Sequence, residues 1–252
     1  MVSTPVAEIE DEVESGKQLE LVEHLAELRD RIIRCIVYAA LGSVAGWVFF
    51  PFFFKLLTSP VVRYLSKDSS FLLTGIAEGF TVKMQIAVLT GIILAFPLIT
   101  LEGWRFVAPG LTRKEKRAVR LIAPLSILLF VGGVATAYFA MPMGIRWLVS
   151  QNPPGAKFMP AVGQSLIFIL KMYLAFGLVF QTPIVLMFLG KAGIVTSKSL
   201  RSYWRQAIVG IAIIAAAVTP SGDAFTMMIM CGPMVALYFL SIGLVRLVEP
   251  RE

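Results

Sequence analysis

Six stretches of this 252-residue chain run for 17 residues or more without a charged side chain: Cys35–Phe54, Met84–Leu101, Leu121–Ile145, Met172–Gly190, Gln206–Gly222 and Ala224–Val245. An α-helix rises 1.5 Å per residue, so about 20 residues cross a hydrocarbon slab of roughly 30 Å. Five runs reach or approach that length. The fifth has a clearly apolar core of only Ala207–Val218, roughly 18 Å of helix, and extending it to Trp204–Thr219 gives about 24 Å. The pattern predicts an all-α membrane protein with six transmembrane helices, at about 32–54, 84–101, 121–147, 164–190, 206–219 and 224–246. A short helical pair at the end must thin the bilayer or recruit partners.

Charge sets the expected orientation. Apolar types make up 57% of the chain and charged types 15%, with a net charge of +7. With both termini on one side, that side collects 16 of the 23 Lys and Arg residues, the other side collects 6, and Lys171 lies within a span. Positively charged loops stay cytoplasmic, so both termini are expected in the cytoplasm. Because the basic residues flank the membrane and form no separate patch, a nucleic-acid partner is not expected. His24 is the only histidine, and Cys35 and Cys231 both fall in predicted spans as packing residues. No metal set can be assembled from these groups, and no cofactor motif is present.

Residues 1–16 are acidic and polar and read as a disordered tail; they do not resemble a cleavable leader, whose start is basic. Residues 17–252 read as one six-helix domain. Within it, residues 17–34 read as an amphipathic helix running into span 1: Leu21, Leu25, Leu28 and Ile32 recur at helical spacing, as in a helix lying at the cytoplasmic interface. The segment from about Lys55 to Lys83 is the longest outer loop; its apolar pieces and Pro60 suggest a cap folded over the outer rim. Pro97, Pro124, Pro142, Pro183 and Pro233 interrupt spans. Each removes a backbone donor and bends its helix, which favours a concave wall over a straight bundle.

Polar groups within spans are candidate functional sites. Lys171 can snorkel outward along its stem. The Gln181 amide, beside Thr182 and Pro183, needs partners in hydrocarbon and can find them locally or on another helix. Pro183 also frees the Val179 carbonyl. Glu102 and Trp104 fall at the inner end of span 2, in an interfacial belt. Two inner-face acids sit among arginines. Glu115 is the lone acid of Arg113-Lys114-Glu115-Lys116-Arg117, and Glu27 lies close to Arg29 and Arg31. They either neutralise these neighbours or bind a guanidinium from another chain in bidentate geometry.

The segment His24-Leu25-Ala26-Glu27-Leu28-Arg29-Asp30-Arg31 resembles the HLxELRxR opening of the TatC family, the core subunit of the twin-arginine protein translocase. Pro97 followed by Trp104-Arg105-Phe106-Val107-Ala108-Pro109-Gly110-Leu111 is similar to that family's P…WxFxxPxL stretch. Ala175-Phe176-Gly177-Leu178-Val179-Phe180-Gln181-Thr182-Pro183 resembles its AFGxxFExP motif, and Thr219-Pro220 and Pro233 also match. The resemblance covers roughly residues 18–248. It implies a concave, glove-shaped six-helix bundle in the cytoplasmic membrane of the cell. It implies a receptor, not an enzyme, that exports folded proteins under the protonmotive force. The partners implied are TatA-like and TatB-like single-span proteins, in an oligomer, together with twin-arginine signal peptides and the lipid bilayer. By position, Glu27, Glu115, Arg29, Arg31 and Phe106 match signal-peptide-recognising residues and Pro60 the outer cap. Gln181 and Thr182 match the intramembrane polar position that faces partner helices. Many relatives carry Glu where this chain has Gln181. Since glutamine carries no proton in this pH range, a hydrogen-bonding role fits it better than a proton relay.

Two other classes are compatible with less of the sequence. A secondary transporter would use Lys171 and Gln181 at a mid-membrane site, but no internal repeat is visible. An intramembrane enzyme would need a Ser–His pair, paired aspartates or metal ligands within the spans, and none occurs there.

Overall fold

The protein is represented by a computed structural model that describes residues 6–62, 71–73, 75–107, 113–153, 159–219 and 222–249, without the side chains of 6–21 and 107–122. Among the described residues the chain is helical: α1 Val6–Val48, α2 Phe50–Val62, α3 Glu78–Val107, α4 Arg113–Ser150, α5 Val162–Val179, α6 Thr182–Lys191, α7 Ser197–Ser202, α8 Trp204–Val218 and α9 Ala224–Val248. Helices are what such runs must form, because a hydrocarbon environment leaves no water to satisfy open backbone groups. Counting α5 and α6 as one apolar stretch, five are long and apolar enough to cross a membrane. α8, with 15 residues, reaches only about 22 Å. α1 begins at Val6, inside the acidic stretch, where alanine and glutamates are good helix formers.

Two apolar runs are broken where the sequence reading has one element. The first divides at Phe49. Pro51 has no N–H to donate to the carbonyl four residues back, so it suits the first turn of a new helix, α2. The amphipathic segment 17–34, expected as a helix running into span 1, is continuous with the span in α1. The fourth run divides at Phe180–Gln181. Here the Gln181 N–H reaches only Leu178 O, 3.0 Å away and three residues back. Pro183 has no donor for the Val179 carbonyl, which instead accepts the Thr182 hydroxyl at 2.7 Å. Pro60 within α2 is handled the same way: the Leu56 carbonyl it would leave open accepts Ser59 Oγ at 2.9 Å.

α1 lies against α3, α4 against α5, and α6 and α8 against α9, while α2 rests on α3, α4 and α5. Ile86, Phe130, Leu166, Ile169, Phe176 and Met230 are fully buried where these helices meet. The α1–α3 pair is antiparallel and crosses at glycines. A Cβ on Gly42 would lie 2.4 Å from the Gly91 carbonyl oxygen, and one on Gly46 2.7 Å from that of Ala87. Small residues four apart let helix backbones touch where lipid supplies no hydrophobic drive for association. At the end of the bundle carrying α2, Leu72 N–H donates to Pro160 O and Val162 N–H to Leu72 O, both at 3.1 Å, which ties the segment before α3 to the start of α5.

Candidate functional site

The other end of the bundle is basic, and there α1 and α3 meet through charge. One stripe of α1 turns toward α3: Glu27, Arg31, Cys35 and, further along, Gly42 and Gly46 are shielded while Arg29 and Ile32 are exposed. The stripe is hydrogen-bonding near its start and glycine-rich within the span.

Glu102 is the hub. Its side chain is 2% exposed, and three guanidinium groups surround it. Arg31 Nη1 donates to Glu102 Oε2 at 3.1 Å and Arg105 Nη1 to Oε1 at 3.0 Å. Arg34 Nη1 stands 3.7 Å from Oε2. A carboxylate this buried is tolerable only when paired and hydrogen-bonded. Glu102, placed by the sequence at the inner end of span 2, is thus turned between α1 and α3 and not exposed on the bundle surface. Its partner Arg31 is 71 residues away in the chain, so only the i,i+3 spacing to Arg105 hinted at pairing.

Glu27 joins the same group. Its Oε1 accepts both Nε and Nη2 of Arg31, while Oε2 lies 3.7 Å from His24 Nδ1. The Glu27 side chain stays one-third exposed, at 33%, against 16% for Arg31. The His24 ring stacks on Phe106, with centroids 4.3 Å apart and planes 12° apart. α1 and α3 thus bring together Glu27, Arg31 and Phe106 of the sequence-derived set, with His24 and Glu102 as additions. Arg29 is not in this group; it is exposed and pairs with Asp30 at 2.8 Å. Glu115 stands in the first turn of α4, and its side chain lies outside the described ones. Of the two readings of Glu27, the neutralising one is met by Arg31 at Oε1, while Oε2 faces His24 on a side chain that stays one-third exposed.

Within the membrane, Gln181 bonds across to α4. Ser126 Oγ donates to its Oε1, and its Nε2 donates to Ser126 O at 3.1 Å and to Gly177 O at 3.4 Å. Ser126 is 2% exposed. Both the local and the interhelical alternative are used, and the interhelical partner lies in the same chain. Lys171 is exposed. Pro60 is buried in α2, at the end opposite the ion-pair cluster. Among the described residues no group of three or more His, Cys, Asp or Glu is placed to hold a metal ion.

A third polar junction fixes the chain's end. Ser197 Oγ and N–H both donate to the Glu249 carboxylate, at 2.6 and 2.7 Å. The Ser197 hydroxyl and amide hold that carboxyl below its ordinary value of 4.5. Tyr238 Oη, from within α9, donates to Leu200 O at 2.7 Å. The short α7 is thereby fastened to α9.

These features have counterparts in known proteins. The sequence profile of the family described as TatC: Sec-independent protein translocase protein (TatC) matches residues 23–233. The Sec-independent protein translocase protein TatC of Desulforapulum autotrophicum is 37% identical over 221 residues, covering 87% of this chain and 82% of that protein. The TatC of Carboxydothermus hydrogenoformans is 32% identical, covering 94% and 96%. A crystal structure of the twin arginine translocase receptor TatC superposes with a TM-score of 0.78 at 33% identity, covering 89% of this chain and 99% of that one. The ion-pair cluster and Gln181 thus sit in a multi-pass helical membrane protein, and by profile, relatives and fold together this chain belongs to the TatC family of Sec-independent protein translocase proteins.

Proposed function

We propose that this chain is the receptor subunit of a twin-arginine translocase, binding the paired arginines of a signal peptide at the basic end of the bundle. Membership of the TatC family supports this reading, as does the similarity to the crystal structure of a twin arginine translocase receptor. The observation that carries it is Glu27. One of its oxygens is fixed by Arg31, and the other is an acceptor on a partly exposed side chain. A guanidinium arriving from another chain can take that second oxygen and stack against the His24–Phe106 pair. Arg31 orients Glu27, Glu115 supplies the second acid, and the exposed Arg29 flanks the approach.

Under this reading the basic end faces the cytoplasm of a cell's inner membrane, as the positive-inside tendency requires. Both termini lie there, and α2 with Pro60 caps the outer rim. TatA-like and TatB-like single-span proteins assemble around Gln181 and Thr182, and the complex moves folded precursors under the protonmotive force. No covalent step is involved. The test is binding of a labelled twin-arginine peptide to the purified protein in nanodiscs. Glu27→Gln is expected to weaken binding about tenfold or more, a charge-assisted hydrogen bond being worth roughly 1.5–3 kcal/mol. A peptide with paired lysines should bind weakly to the unmodified chain. Equal affinity of Glu27→Gln and the unmodified protein for the arginine peptide would remove the site.

A further inference from the structure

The ion-pair cluster at the basic end holds two acids of opposite character. Glu102 is shut between α1 and α3, almost wholly buried, while Glu27 is partly open to the surface. One guanidinium joins them. Arg31 gives Nη1 to Glu102 Oε2 at 3.1 Å, and it gives both Nε and Nη2 to Glu27 Oε1. All three nitrogens of that group are thus engaged, on a side chain that is itself mostly buried. Arg105 and Arg34 close the remaining sides of Glu102, 3.0 Å from Oε1 and 3.7 Å from Oε2.

An unconstrained arginine and a carboxylate often pair fork to fork, through two parallel hydrogen bonds that use both oxygens. Arg31 and Glu27 do not. Because Nη1 is held by Glu102, Arg31 turns its Nε–Nη2 edge to Glu27, and both hydrogen bonds fall on Oε1. Oε2 takes neither of them and faces His24 Nδ1 at 3.7 Å. The spare acceptor on Glu27 is therefore a consequence of where Glu102 holds Arg31. Without the Glu102 charge, Nη1 would sit in a shielded place with no acceptor, which is costly. Glu27 is the other carboxylate that Arg31 touches, and a full fork onto it would close Oε2. Arg34 and Arg105, both exposed and both released from Glu102, would add positive charge beside any arriving guanidinium.

We infer that Glu102 is a positioning residue for arginine recognition: it never touches the signal peptide, but by holding Arg31 it keeps the second oxygen of Glu27 free for a guanidinium. The inference rests on the reading of Glu27 given above and adds to it the residue that sets specificity. A planar guanidinium gains from an oriented acceptor, whereas a lysine ammonium is a compact point charge with rotatable donors and gains less. Loss of Glu102 therefore weakens binding of paired arginines more than binding of paired lysines. A residue that only held the fold together would weaken both alike, or would lower the fraction of protein able to bind at all.

The experiment titrates labelled paired-arginine and paired-lysine peptides into the full chain in nanodiscs, for the unmodified protein, Glu102→Gln, Glu27→Gln and the double variant. Glu102→Gln is expected to bind the arginine peptide about fivefold more weakly, the size of effect that coupled neighbours have on one another. Its affinity for the lysine peptide should stay nearly the same, so the preference for arginine falls by the same factor. In the double variant, Glu102→Gln should add nothing to Glu27→Gln, because its effect travels through Glu27. Binding stoichiometry counts the folded fraction, so a destabilised variant still reports its affinity. If Glu102→Gln yields no folded protein, Glu102→Asp carries the test. It keeps a charge for Arg34 and Arg105 but draws the carboxylate back by one carbon, about 1.5 Å, and the expected loss is about threefold. Full arginine affinity in the folded Glu102 variant, with Glu27→Gln still weakened, would overturn the inference and leave the reading of Glu27 standing. Equal losses for the two peptides would overturn it as well, leaving Glu102 a structural role alone. If Glu27→Gln binds as the unmodified chain does, both fall together.

Discussion

Arg31 of α1 and Glu102 of α3 meet at 3.1 Å, joining two antiparallel helices through a carboxylate that is almost wholly buried. Three arginines converge on that one acid, and Arg31 shares itself between it and Glu27. Breaking a buried pair by removing one partner leaves the other charge uncompensated. Glu102→Gln is expected to lower stability by about 3 kcal/mol, read as a shift in the unfolding transition of the purified protein. Glu102→Asp, which keeps the charge on a shorter stem, should recover part of the loss.

The glycine crossing predicts a steric effect at a distance from any charge. A Cβ on Gly91 would stand 2.3 Å from Ser43 N and 2.5 Å from Ser43 Cα, both backbone atoms that no rotamer change can move. Gly91→Ala is expected to cost about 1–3 kcal/mol. Gly132→Ala, where nothing lies within 4 Å of the added carbon, should leave the transition where it is. The contrast between the two alanines is the measurement.

Gln181 and Ser126 form a reciprocal pair between the α5–α6 junction and α4. Ser126→Ala removes the donor to Gln181 Oε1 and should destabilise by about 1 kcal/mol. Gln181→Leu strands the Ser126 hydroxyl and should cost a similar amount. Because each residue is the other's partner, the double variant should cost less than the sum of the singles, which a double-mutant cycle will read.

Glu249 makes the junction with α7 sensitive to acid. Its carboxyl titrates below 4.5 because Ser197 donates two hydrogen bonds to the ionised form. A depressed folded-state pKa gives a contribution present above the ordinary carboxylate value and lost as pH falls through the lower one. The Ser197 amide should therefore stay protected from hydrogen exchange at pH 6 and lose protection as the pH drops below about 4.5. In Glu249→Gln the protection should be weaker and independent of pH across that window.

The membrane-spanning architecture was legible because its signal is local: a run without charge, long enough to cross, announces a helix wherever it falls. Breaks were half legible. Pro183 marked the division of the fourth run and the carbonyl it frees, but the hydroxyl that takes that carbonyl belongs to Thr182, which the family resemblance had set facing partner helices. Pro51 carries a similar signal for the end of α1 at Val48, but the sequence reading ran span 1 through it to residue 54. The site was legible where a motif put its members on one helix, as with Glu27 and Arg31, four residues apart. It was illegible where the partner comes from another element. Glu102 reads as a membrane-edge acid until α3 is laid against α1, and nothing marks Ser126 until α4 meets the α5–α6 junction, 55 residues on. Gly42 and Gly46 have the spacing of a close helix contact, but nothing in the chain says that Gly91 and Ala87 are what they touch.

α1 and α3 are joined at two separate places: by ions around Arg31 and, about 16 Å further along, by bare backbone at Gly42. Two rods pinned once can swivel; pinned twice, they turn only as one piece. A push received at the charged end of this pair is thus shared by both rods before it reaches the far tip, with the Pro97 bend of α3 held between the two pins.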